Sequence, residues 1–354
     1  MPRTATPNPN PAATGELALI ERIRKLSASS NLRSTSVKLG IGDDCAILAL
    51  PRGHELLVTT DLSLEGRHFR RDWHSPQAIG HRTLARGLSD LAAMGAKPLA
   101  AFLSLALPKA VASDPAWLDG FLNGLLSLAK LHHVPLAGGD TSESPSGAKK
   151  ERAYVLADIV LLGSAPAGRA LRRSGAKAGD LLYVTGALGG AATELASLAD
   201  RTTHSQTTSA PLLTTHYSRL TASPQPRLAV GQALLKRRLA TACIDTSDGL
   251  STDLAHLCTA SHVAAELDIA LLPAHPLTAT LTDAKQIAAV LHGGEDYELL
   301  FTASPKTRLP RSIAGVPITR IGRILKRQRN KPQMTILSDG TRFELQPQGW
   351  EHLR

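Results

Sequence analysis

A chain of two parts, each mixing helices with strands, is what the sequence predicts, on three observations. At 354 residues it is long enough for two domains and a large buried core. Strand-like apolar runs alternate with segments of helical period along most of its length. Residues 165–180, APAGRALRRSGAKAGD, break that pattern with small residues and four cations, Arg169, Arg172, Arg173 and Lys177, and mark a junction. Those cations suit either a solvated linker or a phosphate clamp.

Composition narrows the classes of function. Aromatic residues are only 3% of the chain, so Ala and Leu must fill much of the core. The net charge of +10 is dispersed and has few aromatics interleaved with it, which favours an anionic small substrate over nucleic acid. Three cysteines, Cys45, Cys243 and Cys258, lack metal-type spacing and suggest reduced thiols in a cytoplasm. No run reaches membrane-spanning length and no signal segment is visible, so the expected protein is cytoplasmic and makes no membrane contact.

Taken in order, residues 1–14 are Pro, Asn, Ala and Thr with almost nothing to bury, and predict a disordered tail. Leu17, Ile20, Ile23 and Leu26 recur at near-helical spacing over 16–27. The turn LGIGDDCA follows at 39–46, with Asp43 beside Asp44; adjacent carboxylates on so small a turn need a cation or strong donors, unless water solvates them. Strands are expected at 45–50 and 55–60, the second ending in Thr59, Thr60 and Asp61. Ser75 as cap, Pro76 at the first helical position, Gly95 as stop and Pro98 beyond it predict a helix over 76–94. Asp90 lies near its carboxyl end, where the macrodipole disfavours an anion; Arg86, one turn earlier, or a bound cation would offset that. A strand at 99–107, a helix at 115–132 and a short strand at 134–137 lead into GGDT, Gly138 to Thr141, and a strand at 154–162 closes the first half.

The second half opens with a strand at 181–184, the glycine-rich turn 186–190 and a helix to about 198. Residues 200–225 are polar and read as an insertion-tolerant loop. A helix at 226–239 and a strand at 241–244 run into Asp245-Thr246-Ser247-Asp248-Gly249, where Ser247 or Asp248 is placed to cap the next helix. Strands are expected at 264–272 and 297–302, the latter entered through HGGED, with a terminal hairpin at 334–345.

Five strand or helix ends, at 42–44, 59–61, 89–90, 139–141 and 245–249, carry Asp with Gly, Ser or Thr, a concentration of hard oxygen ligands in a basic chain that suggests several magnesium ions acting on phosphate groups. Walker A and protein-kinase motifs are absent, and 13 histidines with three cysteines show no zinc spacing. Metal-assisted phosphoryl transfer is the reaction class that remains.

The stretches LGIGDDCA, TTD followed by EGRHF, LSDLAAMGA, GGDT, RSGAKAGD, IDTSDGL and GGEDYEL, in this order, resemble the thiamine-monophosphate kinases, within the superfamily of aminoimidazole-ribonucleotide synthetase. GWEHL at 349–353 is similar to that family's terminal aromatic motif. The resemblance implies an α/β plus α+β fold: an amino-terminal sheet domain over 15–164 that pairs in a homodimer, and a carboxyl-terminal α+β domain over 165–354 that completes the active site. It implies transfer of the ATP γ-phosphoryl group to thiamine monophosphate; because the acceptor oxygen is already deprotonated, direct in-line transfer without a phosphoenzyme is expected. By similarity, Asp44, Thr59, Thr60, Asp61, Asp90, Asp140, Asp245 and Asp248 would hold magnesium, with Asp43 acting through water or through contact with one of these ligands. Gly139, Asp140, Arg173 and Ser247 would contact ATP; His68, Glu295 and Trp350 would form the thiamine-phosphate pocket. Selenophosphate synthetases carry a reactive amino-terminal Cys or selenocysteine with a Lys, and the hydrogenase-maturation member a terminal cysteine; this chain shows neither.

Overall fold

The computed structural model describes residues 16–29, 32, 35–145, 153–203 and 220–351. The expected tail at 1–14, most of the polar segment 200–225 and the last three residues lie outside them. Helix α1 (Glu16–Ser29) precedes a small antiparallel pair, β1 (Val37–Leu39) and β2 (Ile47–Leu48). Strand β3 (His54–Leu64), α2 (Pro76–Ala93), β4 (Lys97–Leu107), the single turn α3 (Lys109–Ala112), α4 (Pro115–Leu131), β5 (Leu136–Glu143) and β6 (Leu156–Pro166) complete the first half. Its sheet has the order β3-β6-β4-β5, antiparallel except for the β4–β5 pair.

The second half comprises β7 (Leu181–Thr185), α5 (Gly190–Thr203), α6 (Leu228–Lys236), β8 (Ala242–Asp245), α7 (Leu250–Ser261) and β9 (Val263–Asp268). It continues with α8 (Asp283–His292), β10 (Leu299–Ala303), β11 (Ser312–Ile313), β12 (Val316–Lys326), β13 (Met334–Ser338) and β14 (Thr341–Glu344). The strands form the order β14-β13-β9-β12-β7-β10-β8, with β11 on β12.

Helix α2 joins the halves. Ser75 accepts from the Ala78 amide at 3.3 Å and Pro76 opens the helix, as the sequence predicts. Its neighbours approach through glycine: a Cβ on Gly80 or Gly124 would strike the facing backbone of α4 or α2, and one on Gly231 of α6 would strike the Ala92 carbonyl. Leu84 and Leu88 of α2 therefore share one core with Phe121 of α4, Ile159 of β6 and Phe301 of β10. A second core, including Leu182, Ile244, Leu254 and Ile321, lies within the carboxyl-terminal half.

Three local expectations are corrected. Thr59, Thr60 and Asp61 do not end their strand; β3 continues to Leu64 because it pairs with β6 without a break from His54↔Pro166 to Leu64↔Leu156. Gly139, Asp140 and Thr141 likewise lie inside β5, opposite Leu103, Ser104 and Leu105. Gly139 has φ +150°, and a Cβ there would strike the Leu103 carbonyl, so close strand packing itself demands glycine. Ser247 and Asp248 do not cap α7. Asp253 does so from inside the helix, accepting from the Asp248 and Gly249 amides at 3.2 and 3.1 Å.

Candidate functional site

The alternation of β3 turns Thr59 and Asp61 toward α2 and Thr60 to the opposite face. Thr59 donates to Asp90 at 2.5 Å. Arg86 does not pair with Asp90, as its spacing had allowed; it reaches Asp61, with Nε and Nη2 donating to Oδ1 at 2.9 and 2.6 Å. From the next turn of α2, Ser89 donates to Asp245 at 2.6 Å, across 156 residues of sequence. Asp61 and Asp90 from the first half and Asp245 from the end of β8 thus face one another across the junction of the two halves.

Their electrostatics record this crowding. Burial pushes Asp90 up to about 7, helped by the negative charge of Asp245. Burial likewise raises Asp245 and Asp61, the latter against the opposing pull of Arg86. Arg173, in the junction segment, lowers both Asp90 and Asp245 through its charge. The group is short of positive charge, and its donors are all oxygens, which fits a hard cation and not zinc. Among the described residues no group of three or more His, Cys, Asp or Glu side chains is close enough to hold a metal ion by itself.

Asp61, Arg86, Asp90 and Asp245 line a cavity of about 510 Å³; Thr59, Ser89 and Arg173 do not. Asp61, Asp90, Asp245, Ser247 and Asp248 occupy part of its wall; His68, Glu295 and Trp350 are also on it. The turn after β8 organises the far side by backbone bonds. The Glu295 amide donates to Ser247 O at 2.8 Å, the Tyr297 amide to Thr246 O at 3.0 Å and the Trp350 amide to Asp248 O at 2.9 Å. Glu295 and Tyr297 hold φ of +69° and +51°, uncommon for residues with side chains.

Other expected residues are not on that wall. Asp43, Asp44, Gly139 and Asp140 are exposed: Asp43 accepts from the Asp44 amide and Asp140 from the Thr141 amide, each at 2.9 Å. Thr60 donates to Asp158 at 2.9 Å on the outer sheet face.

Conversely, the cavity takes in residues that no motif singled out. Arg70, Trp73 and His74, beyond the EGRHF stretch, come from the segment between β3 and α2, with the Arg70 guanidinium 4.4 Å from the Trp73 ring centroid. Two of the chain's three tryptophans, Trp73 and Trp350, therefore face one cavity. Trp350 was marked in the sequence by the GWEHL motif; Trp73 carried no signal there.

Comparison with known proteins places this architecture in a class. Residues 42–165 match the model of the AIR synthase related protein, N-terminal domain, and residues 177–334 that of the C-terminal domain. The class is thus the two-domain AIR synthase-related proteins. The thiamine-monophosphate kinase of Escherichia coli is 39% identical over 345 residues, 96% of this chain and 98% of the relative. The crystal structure of thiamine-monophosphate kinase from Stenotrophomonas maltophilia superposes with a TM-score of 0.76 at 36% identity, covering 94% of this chain and 98% of that one. A structure of AaThiL complexed with AMPPCP and TMP superposes with a TM-score of 0.71 at 27% identity over 96% of this chain and 97% of that one. The chain belongs to the thiamine-monophosphate kinase family.

Proposed function

We propose that this protein transfers the γ-phosphoryl group of ATP to the phosphate of thiamine monophosphate, giving thiamine diphosphate and ADP. The observation that carries the reading is one cavity that joins part-buried Asp61 and Asp90 of the first half and buried Asp245 of the second to His68, Glu295 and Trp350. The AMPPCP and TMP bound to the AaThiL relative support the two substrates.

Donor and acceptor are both anionic, so repulsion between them is the main barrier. Asp61, Asp90, Asp245 and Asp248 would hold magnesium at the cavity; the family's pattern would add Thr59 beside Asp90 and, from outside the wall, Asp44, Thr60 and Asp140. Bound there, magnesium supplies positive charge against the phosphate oxygens. Arg173, exposed and outside the cavity wall but close enough for its charge to act on Asp90 and Asp245, adds a cation suited to bidentate phosphate contact, and Ser247 a hydroxyl donor on the wall. Gly139 and Asp140 complete the proposed ATP contacts. His68 and Glu295 orient the acceptor, whose thiazolium charge suits the Glu295 carboxylate and the Trp350 face. The acceptor phosphate is already ionised, so no side chain need remove a proton, and transfer is direct and in line.

The domain limits, 15–164 and 165–354, belong to the same proposal, as does a homodimer formed by the amino-terminal sheet. Its outer face exposes Leu56 at 49%, Val58 at 62% and Leu62 at 44%, an apolar row on one strand. A cytoplasmic location is supported by three free cysteines. Among the described residues no helix is long and apolar enough to cross a membrane.

Chromatography of reactions containing ATP, magnesium and either thiamine monophosphate or thiamine tests the reading. Thiamine diphosphate formed from the monophosphate, with thiamine left unphosphorylated, is the expected result. No product from folded protein that binds ATP would overturn it.

A further inference from the structure

We infer that Arg82 is the positioning residue of the acceptor pocket, holding His68 and Glu295 in one arrangement from behind the cavity wall. The inference rests on the acceptor reading given above. Arg82 lies on α2, is 3% exposed and does not line the cavity. Its Nη2 donates to both oxygens of Glu295, at 2.8 and 3.0 Å, and to the His68 carbonyl at 2.7 Å. Its Nη1 donates to the Thr221 carbonyl. One guanidinium thereby ties together segments 14, 139 and 213 residues away in sequence.

The physical case is that neither partner can be placed cheaply without the other. A buried guanidinium that loses its carboxylate is an uncompensated charge. Glu295 sits at φ +69° two residues before Tyr297 at +51°, a conformation that persists only where the surroundings over-determine it. The Arg82 guanidinium supplies part of that constraint, and it holds the His68 backbone through the carbonyl while the Leu64 amide, donating to Nδ1 at 2.9 Å, holds the ring. Lysine retains the charge but has one nitrogen where the guanidinium uses two, so it cannot meet the Thr221 carbonyl from one while serving the His68 carbonyl and Glu295 from the other.

Steady-state kinetics on wild type, Arg82→Lys, Arg82→Gln, Glu295→Gln and the Arg82→Lys/Glu295→Gln double variant test this, with thermal melts to establish folding. The expected result is a KM for thiamine monophosphate raised about 10- to 100-fold in each Arg82 variant, the range for residues that orient a ligand's direct partners. The KM for ATP should stay within about twofold, and the double variant should be no worse than the poorer single variant, because both changes remove one unit. Equal rises in both KM values, an additive double variant, wild-type kinetics in Arg82→Lys, or failure of both Arg82 variants to fold would each overturn the inference. Wild type inactive toward thiamine monophosphate would instead overturn the acceptor reading, and this inference with it. Active wild type with an unchanged Arg82→Lys would overturn the inference alone.

Discussion

Asp90 combines a structural cost with a functional use. Its carboxyl is pushed up to about 7 by burial and by Asp245, so ionising it at neutral pH costs the metal-free protein stability. Asp90→Asn removes that charge while keeping a group that can accept from Thr59. The expected outcome is a melting temperature of the metal-free protein equal to or above wild type, with turnover reduced by orders of magnitude. Unchanged turnover in that variant would remove Asp90 from the machinery. His74 carries a separate pH signature. Burial, aided by the Arg82 charge, lowers it from 6.5 to about 4. Between those values the unfolded chain binds more protons than the folded one, so the contribution is intact above the unfolded value and is lost as pH falls toward the folded one. The span corresponds to about 3 kcal/mol at most. Denaturation of His74→Gln across this range should show a flatter acid limb than wild type; parallel curves would contradict the assignment.

At the scale of elements, α2 is the hinge pin of the site, since Arg82, Arg86, Ser89 and Asp90 all leave one helix. Its packing depends on glycine at the crossings, and Gly231→Ala, which drives a methyl into the Ala92 carbonyl, should cost about 3 kcal/mol by overpacking. An unchanged denaturant midpoint would contradict that. This helix was legible in the sequence because its signals are local: Ser75, Pro76 and Gly95 lie within a few residues of its ends. The length of β3 was not legible, since pairing with β6, a hundred residues on, carries it past Asp61. Strand β12, central in the second sheet, gave no clear apolar run because Arg320, Arg323 and Lys326 interrupt it; Arg323 is placed by a salt bridge to Glu266 of β9 at 2.7 Å. The carboxylate turns were visible as motifs. Arg82 was not, because everything that defines its role lies in contacts made distant in sequence.

At the scale of the whole molecule, the cavity exists only where the two halves meet, so neither half alone holds the proposed site. The same first half turns an apolar sheet face outward, and Val58→Asp at its most exposed apolar position should shift the protein from dimer to monomer in sedimentation. A wild-type monomer would contradict the proposed pairing. The central claim is transfer of one phosphoryl group between two anions within that cavity. Incubation with γ-labelled ATP, magnesium and thiamine monophosphate, comparing wild type with Asp245→Asn, tests it most directly. One label in the terminal phosphate of each thiamine diphosphate for wild type, and almost none for the folded variant, is the predicted result. ATP hydrolysis without labelled thiamine diphosphate, or a variant that labels as well as wild type, would contradict the account.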